Sequence, residues 1–432
     1  MHYGIITFGS RGDVQPYIAL ASGLMEQGNT VAIVGNENFS DFVAKYEIPF
    51  YPLPVDTQKI LQSPEIAGIL KSGNVIVYLR ELGKLIRKDQ AAVLEKMVSY
   101  CATFDVLIAT PLTVVWVFSV AERLKKSWAI IQLTVPSVPT AVFPYLGLDF
   151  FNAPVYNRFT YRLMRWLFWK EHKKDVQEQR ALLKLPPLKK SLLKIIDDQQ
   201  VLQLHAFSRF LLQRPYDWPQ EVSVTGFLDQ NRGKTPVAGQ DASTEEPISN
   251  WLKQDAPPVY IGFGSFPVPD PAIFYRILEY LLNHTGERYI FCQGWSQPIE
   301  LPKSERVFEV KAVDHSWLFP QCKLAVVHGG IGTIGAALRA KIPIVVVSVL
   351  GDQPIWGRFI KRKGWGAHLS FKKLSPQKLL AAIRTADQDA IRASVLQVGG
   401  MMEQENGVAE AVSRLEAYFK TSAQPLLTQK NL

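Results

Sequence analysis

Leu324-Ala325-Val326-Val327-His328-Gly329-Gly330-Ile331-Gly332-Thr333 decides the fold. An apolar run of strand length ends in a glycine-rich turn, and helical periodicity follows over residues 334–340. That succession aims backbone N–H groups and the positive end of a helix dipole at one small volume. The glycines allow close approach to the backbone, Thr333 adds a hydroxyl, and His328 on the strand tip can donate to a phosphate oxygen. The pattern asks for a diphosphate. Gly330-x-Gly332-x-x-Gly335 also has the spacing of a dinucleotide fingerprint, with Asp352 twenty residues beyond Gly332. NAD-dependent hydride transfer is therefore one alternative. A turn that merely packs a helix on a sheet is the plainer one.

Outward from this stretch, apolar strand-like runs alternate with helical periodicity, the signature of parallel sheets covered by helices. Candidate strands are 5–8, 31–34, 105–109, 129–133, 201–204, 259–263, 288–292, 324–327 and 344–349, with helices over 15–27 and about 75–100. Residues 229–246 are polar, rich in Gly, Pro, Ser and Thr, and without periodicity, which predicts a linker. The expected organisation is an α/β domain over 1–228, a linker over 229–250, a second α/β domain over 251–402, and a last helix within 403–432 that crosses back to the first domain before a frayed tail. Two such domains place a ligand cleft at the carboxyl ends of their strands.

Composition narrows the class. The 432 residues are 47% hydrophobic and 20% charged, as in a soluble globular protein. Cys101, Cys292 and Cys322 are odd in number, far apart and set in apolar surroundings, so they read as reduced core residues of a cytoplasmic protein. No secretory leader is legible, and the longest apolar run, 106–120, is short for a membrane span and broken by Pro111. The net charge of +9 sits in short clusters without a recognisable nucleic-acid module, so a solvated basic surface is expected and no nucleic-acid partner.

Further motifs stand at other strand ends. Gly9-Ser10-Arg11-Gly12-Asp13-Val14-Gln15-Pro16 follows the first strand; Asp13 reads as a helix cap, as a general base, or as both. Pro16 is expected near the first turn of the helix. Gly262-Phe263-Gly264-Ser265 offers a hydroxyl and amides to a phosphate or sugar, or is only a connection. Gly351-Asp352-Gln353-Pro354 can grip vicinal hydroxyls or cap a helix. Trp295 is a shelf for a base or a core residue.

Residues 157–170 place Phe159, Leu163 and Leu167 on one helical side and Arg158, Arg162 and Arg165 on the other. With Trp166, Phe143, Tyr145, Phe150 and Phe151, they read as the wall of an apolar acceptor pocket, as a membrane-interface helix, or as an amphipathic helix packed on its own domain. Asp387-Gln388-Asp389 has the spacing of a metal-binding pair, but it follows a helical stretch in a polar region, and no metal site is expected.

These motifs have a family look. Residues 9–16, 260–265, 316–320, 328–333 and 351–357, in this order, resemble the sterol-glucosyltransferase-like branch of the UDP-glycosyltransferase superfamily, glycosyltransferase family 1. The resemblance spans residue 4 to about 385. It implies a GT-B fold, two Rossmann-like domains with parallel sheets facing a cleft, acceptor on the first and nucleotide sugar on the second. It also implies an inverting hexosyltransferase that needs no metal or other cofactor beyond its co-substrate, UDP-glucose or another UDP-sugar, with a dTDP-sugar as the second option.

By position, Asp13 matches the catalytic base. His328, Gly330, Gly332, Thr333 and Ser265 match the diphosphate cradle, Asp352 and Gln353 the donor-sugar contacts, and Trp295 with Val313 the nucleobase site. Val327 stands where close relatives often have a second histidine, and Ser316 where an aspartate is common. The implied acceptor is a sterol, lipid, polyketide or flavonoid-like alcohol. A cytoplasmic enzyme, with peripheral contact to the membrane's inner surface as an option, is the expectation.

The other readings are a nucleotide-sugar epimerase or a non-catalytic binder of the same fold. A binder has no use for a base at Asp13, and an epimerase needs no apolar acceptor wall. The dehydrogenase expects its fingerprint at the start of a nucleotide domain, which Gly330 is not.

Overall fold

In the computed structural model the described residues are 1–63, 66, 81, 89–229, 242–265, 270, 272–296 and 299–421. The chain divides into two compact units, one of Met1–Thr57, Leu85–Gln230 and Asn406–Leu432, the other of Gln58–Lys84 and Asn231–Glu405. Among the described residues, helices of nine or more residues are numbered below.

The first unit holds β1 (His2–Thr7), α1 (Arg11–Glu26), β2 (Thr30–Asn36), β3 (Phe50–Leu53), α2 (Gln90–Cys101), β4 (Val106–Ala109), α3 (Val114–Leu124), β5 (Ser127–Gln132), α4 (Pro154–Leu182), β6 (Gln203–His205) and β7 (Val222–Val224). Its sheet runs β3-β2-β1-β4-β5-β6-β7. The second unit holds α5 (Ala242–Leu252), β8 (Val259–Gly262), α6 (Ile273–His284), β9 (Tyr289–Cys292), β10 (Val307–Val310), β11 (Leu324–Val327), α7 (Ile331–Arg339), β12 (Ile344–Ser348), α8 (Gln353–Lys363), β13 (Gly366–Ser370), α9 (Pro376–Ala386) and α10 (Asp389–Met402). Its sheet runs β10-β9-β8-β11-β12-β13. Every pairing is parallel. Helices cover both faces of such sheets, which is why β4, β8, β11 and β12 are buried along their whole length and read as unbroken apolar runs.

The last helix, α11 (Gly407–Thr421), belongs to the first unit and packs on α1. Gly23 makes room for it, since a Cβ there would collide with Val408. Asn29 Nδ2 donates to Glu416 Oε1 at 2.9 Å, and the Tyr418 hydroxyl donates to the Gln200 carbonyl at 2.8 Å.

Several expectations change. Strands β3, β7, β10 and β13 were not anticipated, and all four are edge strands. Helices α1 and α7 begin at Arg11 and Ile331, not at 15 and 334. Pro16 therefore lies in the second turn of α1, where its missing N–H leaves the exposed end at Gly12 without the usual i+4 donor. The expected linker is helical over Ala242–Leu252, because Ile248 and Trp251 are buried; residues 230–241 lie outside the described residues. So does most of 75–88 in the long helix expected there, and so does the tail 422–432. No helix among the described residues is long and apolar enough to cross a membrane.

Two buried polar features matter for stability. Arg180 of α4 meets Glu122 of α3 in a bidentate pair at 2.6 and 2.9 Å, with both side chains almost fully buried. His205, at the end of β6, is wholly buried with its ring 5.0 Å from that of Trp218. Among the described residues neither of its nitrogens has a hydrogen-bond partner.

Burial pushes the His205 pKa down from 6.5 to about 3. A base whose folded pKa is depressed is protonated more readily when unfolded, so its contribution is intact above pH 6.5 and is lost as pH falls toward 3. Between pH 7 and pH 4 this amounts to about 3 kcal/mol. Urea unfolding of His205→Phe should lose correspondingly less stability than the parent over that interval. An equal loss in both proteins would show that His205 does not carry the acid sensitivity.

Candidate active site

Each sheet reverses its winding once. In the first unit β1 is flanked by β2 and β4, and in the second β8 is flanked by β9 and β11. The carboxyl ends of strands that flank a reversal leave a crevice, the place where open α/β sheets bind ligands. Asp13 follows β1. Ser265 follows β8, and His328 to Thr333 follow β11.

At the first reversal, Asp13 is the third residue of α1 and forms a capping box with Ser10. Its Oδ2 accepts from the Ser10 backbone N–H at 2.8 Å and from Ser10 Oγ at 3.0 Å, and the side chain is half-buried. Gly9 has φ +127°, and a Cβ there would strike Asp13 Oδ2. Two distant segments hold Gly9: its N–H donates to Asn36 Oδ1 at 3.0 Å, and its carbonyl accepts from Thr57 Oγ1 at 2.5 Å. Thr7 Oγ1 donates to the Asp13 carbonyl at 2.6 Å. Ser10 thus holds the carboxylate of Asp13, and Thr7 holds its backbone carbonyl.

At the second reversal Gly330 is the N-cap of α7, so the N–H groups of Ile331, Gly332 and Thr333 have no acceptor inside the helix. His328 lies against this end. A Cβ on Gly330 would stand 2.7 Å from His328 Nε2, and one on Gly264 would stand 3.7 Å from His328 Cε1. Some surface of His328 remains accessible, but its ring is desolvated, which lowers its pKa to about 4. Near pH 7 it is a neutral hydrogen-bonding group, and the positive potential at this end comes from the helix. A Cβ at Gly332 would meet nothing within 4 Å, so the protein's own packing does not demand glycine there.

Ser265 and Trp295 are half-buried in turns tied together by the Trp295 N–H donating to the Gly264 carbonyl at 3.0 Å. Gly294 in turn donates to the Lys311 carbonyl at 3.0 Å, which brings half-buried Val313 and its segment to the same turn. On the other side Gly329 abuts Gln353, whose carbonyl would be 3.4 Å from a Cβ at 329. The second unit therefore gathers residues from five chain segments around one helix end.

Asp352 and Gln353 are already partly committed. Asp352 Oδ2 accepts from Trp356 Nε1 at 2.9 Å, and burial raises the pKa of this carboxyl. Gln353 Oε1 accepts from the N–H groups of Val349 and Leu350 at 2.9 and 3.2 Å, which fixes its amide orientation and turns Nε2 away from them. The pair thus presents one carboxylate oxygen and an amide NH₂, narrower than two fully available side chains. Gln353→Ala should cost about 1–3 kcal/mol by stranding two amides. Gln353→Glu, which keeps an oxygen there, should recover most of the urea midpoint. A Glu variant as unstable as Ala would refute this anchoring role.

The 143–167 segment divides the residues that the sequence grouped together. Phe143, Tyr145 and Leu163 are half-buried, and the Tyr145 ring meets Tyr161 edge-on at 5.8 Å. Phe159 and Trp166 are exposed instead of sharing that wall. Arg165 does not stand on an outer face with Arg158 and Arg162; its Nη2 pairs with Asp197 Oδ2 at 2.6 Å. The reason lies on the inner side of α4. Asn157 Nδ2 donates to the Ala141 carbonyl at 2.7 Å, and Thr160 Oγ1 accepts from the Tyr145 N–H at 2.9 Å. Polar residues face inward to satisfy an irregular loop, and the aromatics are left outside. At the Asp-x-Asp pair, Asp387 meets Lys323 at 2.9 Å and also Arg392.

Sequence reasoning missed Ser10, Trp356, Asn36 and Thr57. Ser10 was findable three residues before Asp13 as a capping box, and Trp356 four residues after Asp352 as a helix neighbour. Asn36 and Thr57 reach Gly9 through the fold and leave no local signal.

Comparison with known proteins identifies the family. Residues 3–144 match the glycosyltransferase family 28 N-terminal domain, and 296–418 match the erythromycin biosynthesis protein CIII-like C-terminal domain. A sterol 3-beta-glucosyltransferase of Arabidopsis thaliana is 31% identical across 96% of this chain and 68% of its own length. The chain belongs to the UDP-glycosyltransferase superfamily, in its sterol-glucosyltransferase-like branch. It is a glycosyltransferase, and the dinucleotide reading of Gly330 falls away.

A second Arabidopsis sterol 3-beta-glucosyltransferase is 32% identical across 97% of this chain, which spans 65% of that protein. The chain spans 28% of a Yarrowia lipolytica sterol 3-beta-glucosyltransferase that is 30% identical to it. Among solved structures, the calicheamicin glycosyltransferase superposes with a TM-score of 0.65 at 16% identity, covering 98% of this chain and 99% of its own. The glycosyltransferase VinC in complex with dTDP gives 0.65 at 15%, covering 96% and 99%. At such identities the likeness shows the fold, which is GT-B.

Proposed function

We propose that the chain transfers a hexose from a nucleotide sugar, UDP-glucose first among candidates, to a hydroxyl of an apolar, sterol-like acceptor, with inversion and without a required metal. The observation that carries this reading is the open N-terminus of α7 beside the desolvated His328, in a family whose relatives are named sterol glucosyltransferases. The diphosphate lies on the amides of Gly332 and Thr333 with His328 and Ser265 alongside. Glycine at 332 serves the ligand, since nothing in the protein occupies that space.

Trp295 and Val313 take the base, and Asp352 with the Gln353 NH₂ takes sugar hydroxyls. Asp13 accepts the proton of the acceptor hydroxyl as its oxygen attacks the anomeric carbon from the face opposite the diphosphate. The bond from that carbon to the diphosphate breaks, and the charge left on the nucleotide is met by the helix end and His328. Phe143, Tyr145 and Leu163 contribute to the acceptor side.

The test is incubation of chelator-treated protein with UDP-glucose and a pooled panel of sterols, flavonoids and polyketides, read by mass spectrometry. The expected product has gained one hexose. Stabilisation by NAD in thermal melts, with no response to UDP or dTDP, would overturn the reading.

A further inference from the structure

The N-terminal half of α4 wears its apolar residues outward. Val155 is 84% exposed, Phe159 56% and Trp166 55%, and Phe150 and Phe151 just before the helix are 75% and 70% exposed. On an ideal helix Val155, Phe159 and Trp166 fall within about 40° of one another and span roughly 17 Å. Half of the large apolar side chains exposed among the described residues lie between Val142 and Leu167. A cluster of exposed apolar side chains of this kind marks an interaction face.

Cations frame the stripe. Arg158, Arg162, Lys170 and Lys173 are all exposed, and Lys170 Nζ stands 5.2 Å over the Trp166 ring. Asp217 approaches Arg158 at 3.9 Å from outside the helix. Glu171, the exposed acid nearest in sequence, is about 140° around the helix from the stripe. Aromatic and aliphatic groups interleaved with arginine and lysine match the boundary between lipid headgroups and acyl chains, where stems and rings sink and charged ends stay with phosphates.

We propose that this face, α4 from Val155 to Lys173 with Phe150 and Phe151, docks on an anionic lipid bilayer. Charge complementarity selects that occupant. A symmetric pairing with a second copy would bring the arginines of one helix toward those of the other. Docking does not depend on the transfer reaction, and its test needs no sugar nucleotide.

The experiment is flotation of the full chain with vesicles of phosphatidylcholine alone or mixed with phosphatidylserine, both free of sterol. Partition to the anionic vesicles is expected, with weakening as salt is raised. Arg162→Ser/Lys170→Ser should bind them about thirtyfold less well, from two cations removed at the surface. Phe159→Ser/Trp166→Ser should release the protein from them as well, with melting temperatures confirming that both variants fold. No binding, equal binding to neutral vesicles, or unchanged binding by both variants overturns the proposal. So does a concentration-dependent dimer that dissociates in Phe159→Ser/Trp166→Ser, which would assign the face to a second copy.

Discussion

Asp13→Asn should lower kcat by about 10²–10⁴ while leaving the affinity for the nucleotide sugar nearly unchanged. The amide keeps an oxygen that can accept from Ser10 N–H and Oγ–H, so the start of α1 survives and only proton acceptance is lost. Asp13→Ala removes the capping contact too and should additionally cost about 0.5–2 kcal/mol of stability. Comparing the two separates the roles that the sequence leaves superposed at this position. Turnover by the Asn variant within a few-fold of the parent, with a destabilised Ala variant, would leave Asp13 as a helix cap alone.

The second large effect concerns stability. Arg180→Ala would leave the Glu122 carboxylate buried without its bidentate partner and should cost about 3–5 kcal/mol. That is a large part of the marginal stability of an ordinary domain, about 5–15 kcal/mol. The guanidinium also donates through Nε to the Pro186 carbonyl at 2.7 Å and lies over the Phe118 ring, so it joins α3, α4 and the turn after α4 at one point. Glu122→Leu/Arg180→Met removes both charges and should recover most of the loss, because two desolvation costs vanish together. Urea midpoints of the single and double variants measure this. A double variant no better than Arg180→Ala would show that the pair's packing, and not the stranded charge, dominates.

How much of this was legible follows from where each strand lies. Central strands such as β4, β11 and β12 are covered on both faces and announce themselves as apolar runs. The four that escaped are edges: β3 contains Pro52, β10 has Glu309 exposed, β13 is only half-buried over its last three residues, and β7 is three residues long. The starts of α1 and α7 were placed too late for one shared reason. Gly12 and Gly332 each occupy the second position of their helix, and glycine counts against helix in any local reading.

Candidate residues on one turn, such as His328 and Gly330, could be grouped from sequence. The commitment of Gln353 to Val349 and Leu350, the outward turn of Phe159 and the support of Gly9 by Asn36 and Thr57 could not, because each depends on a partner that only folding supplies.

The return of α11 to the first unit bears on how the protein is made. A ribosome completes the seventh strand of that unit at Val224 and must then add roughly 180 residues before α11 emerges. At rates of about 5–20 residues per second, that is an interval of roughly 10–40 s. Throughout it, the side of α1 around Gly23 stays open to chaperones and to other nascent chains. A chain stopped short of Gly407 carries every strand of both sheets and still leaves the helix that bears Asp13 uncovered along that side.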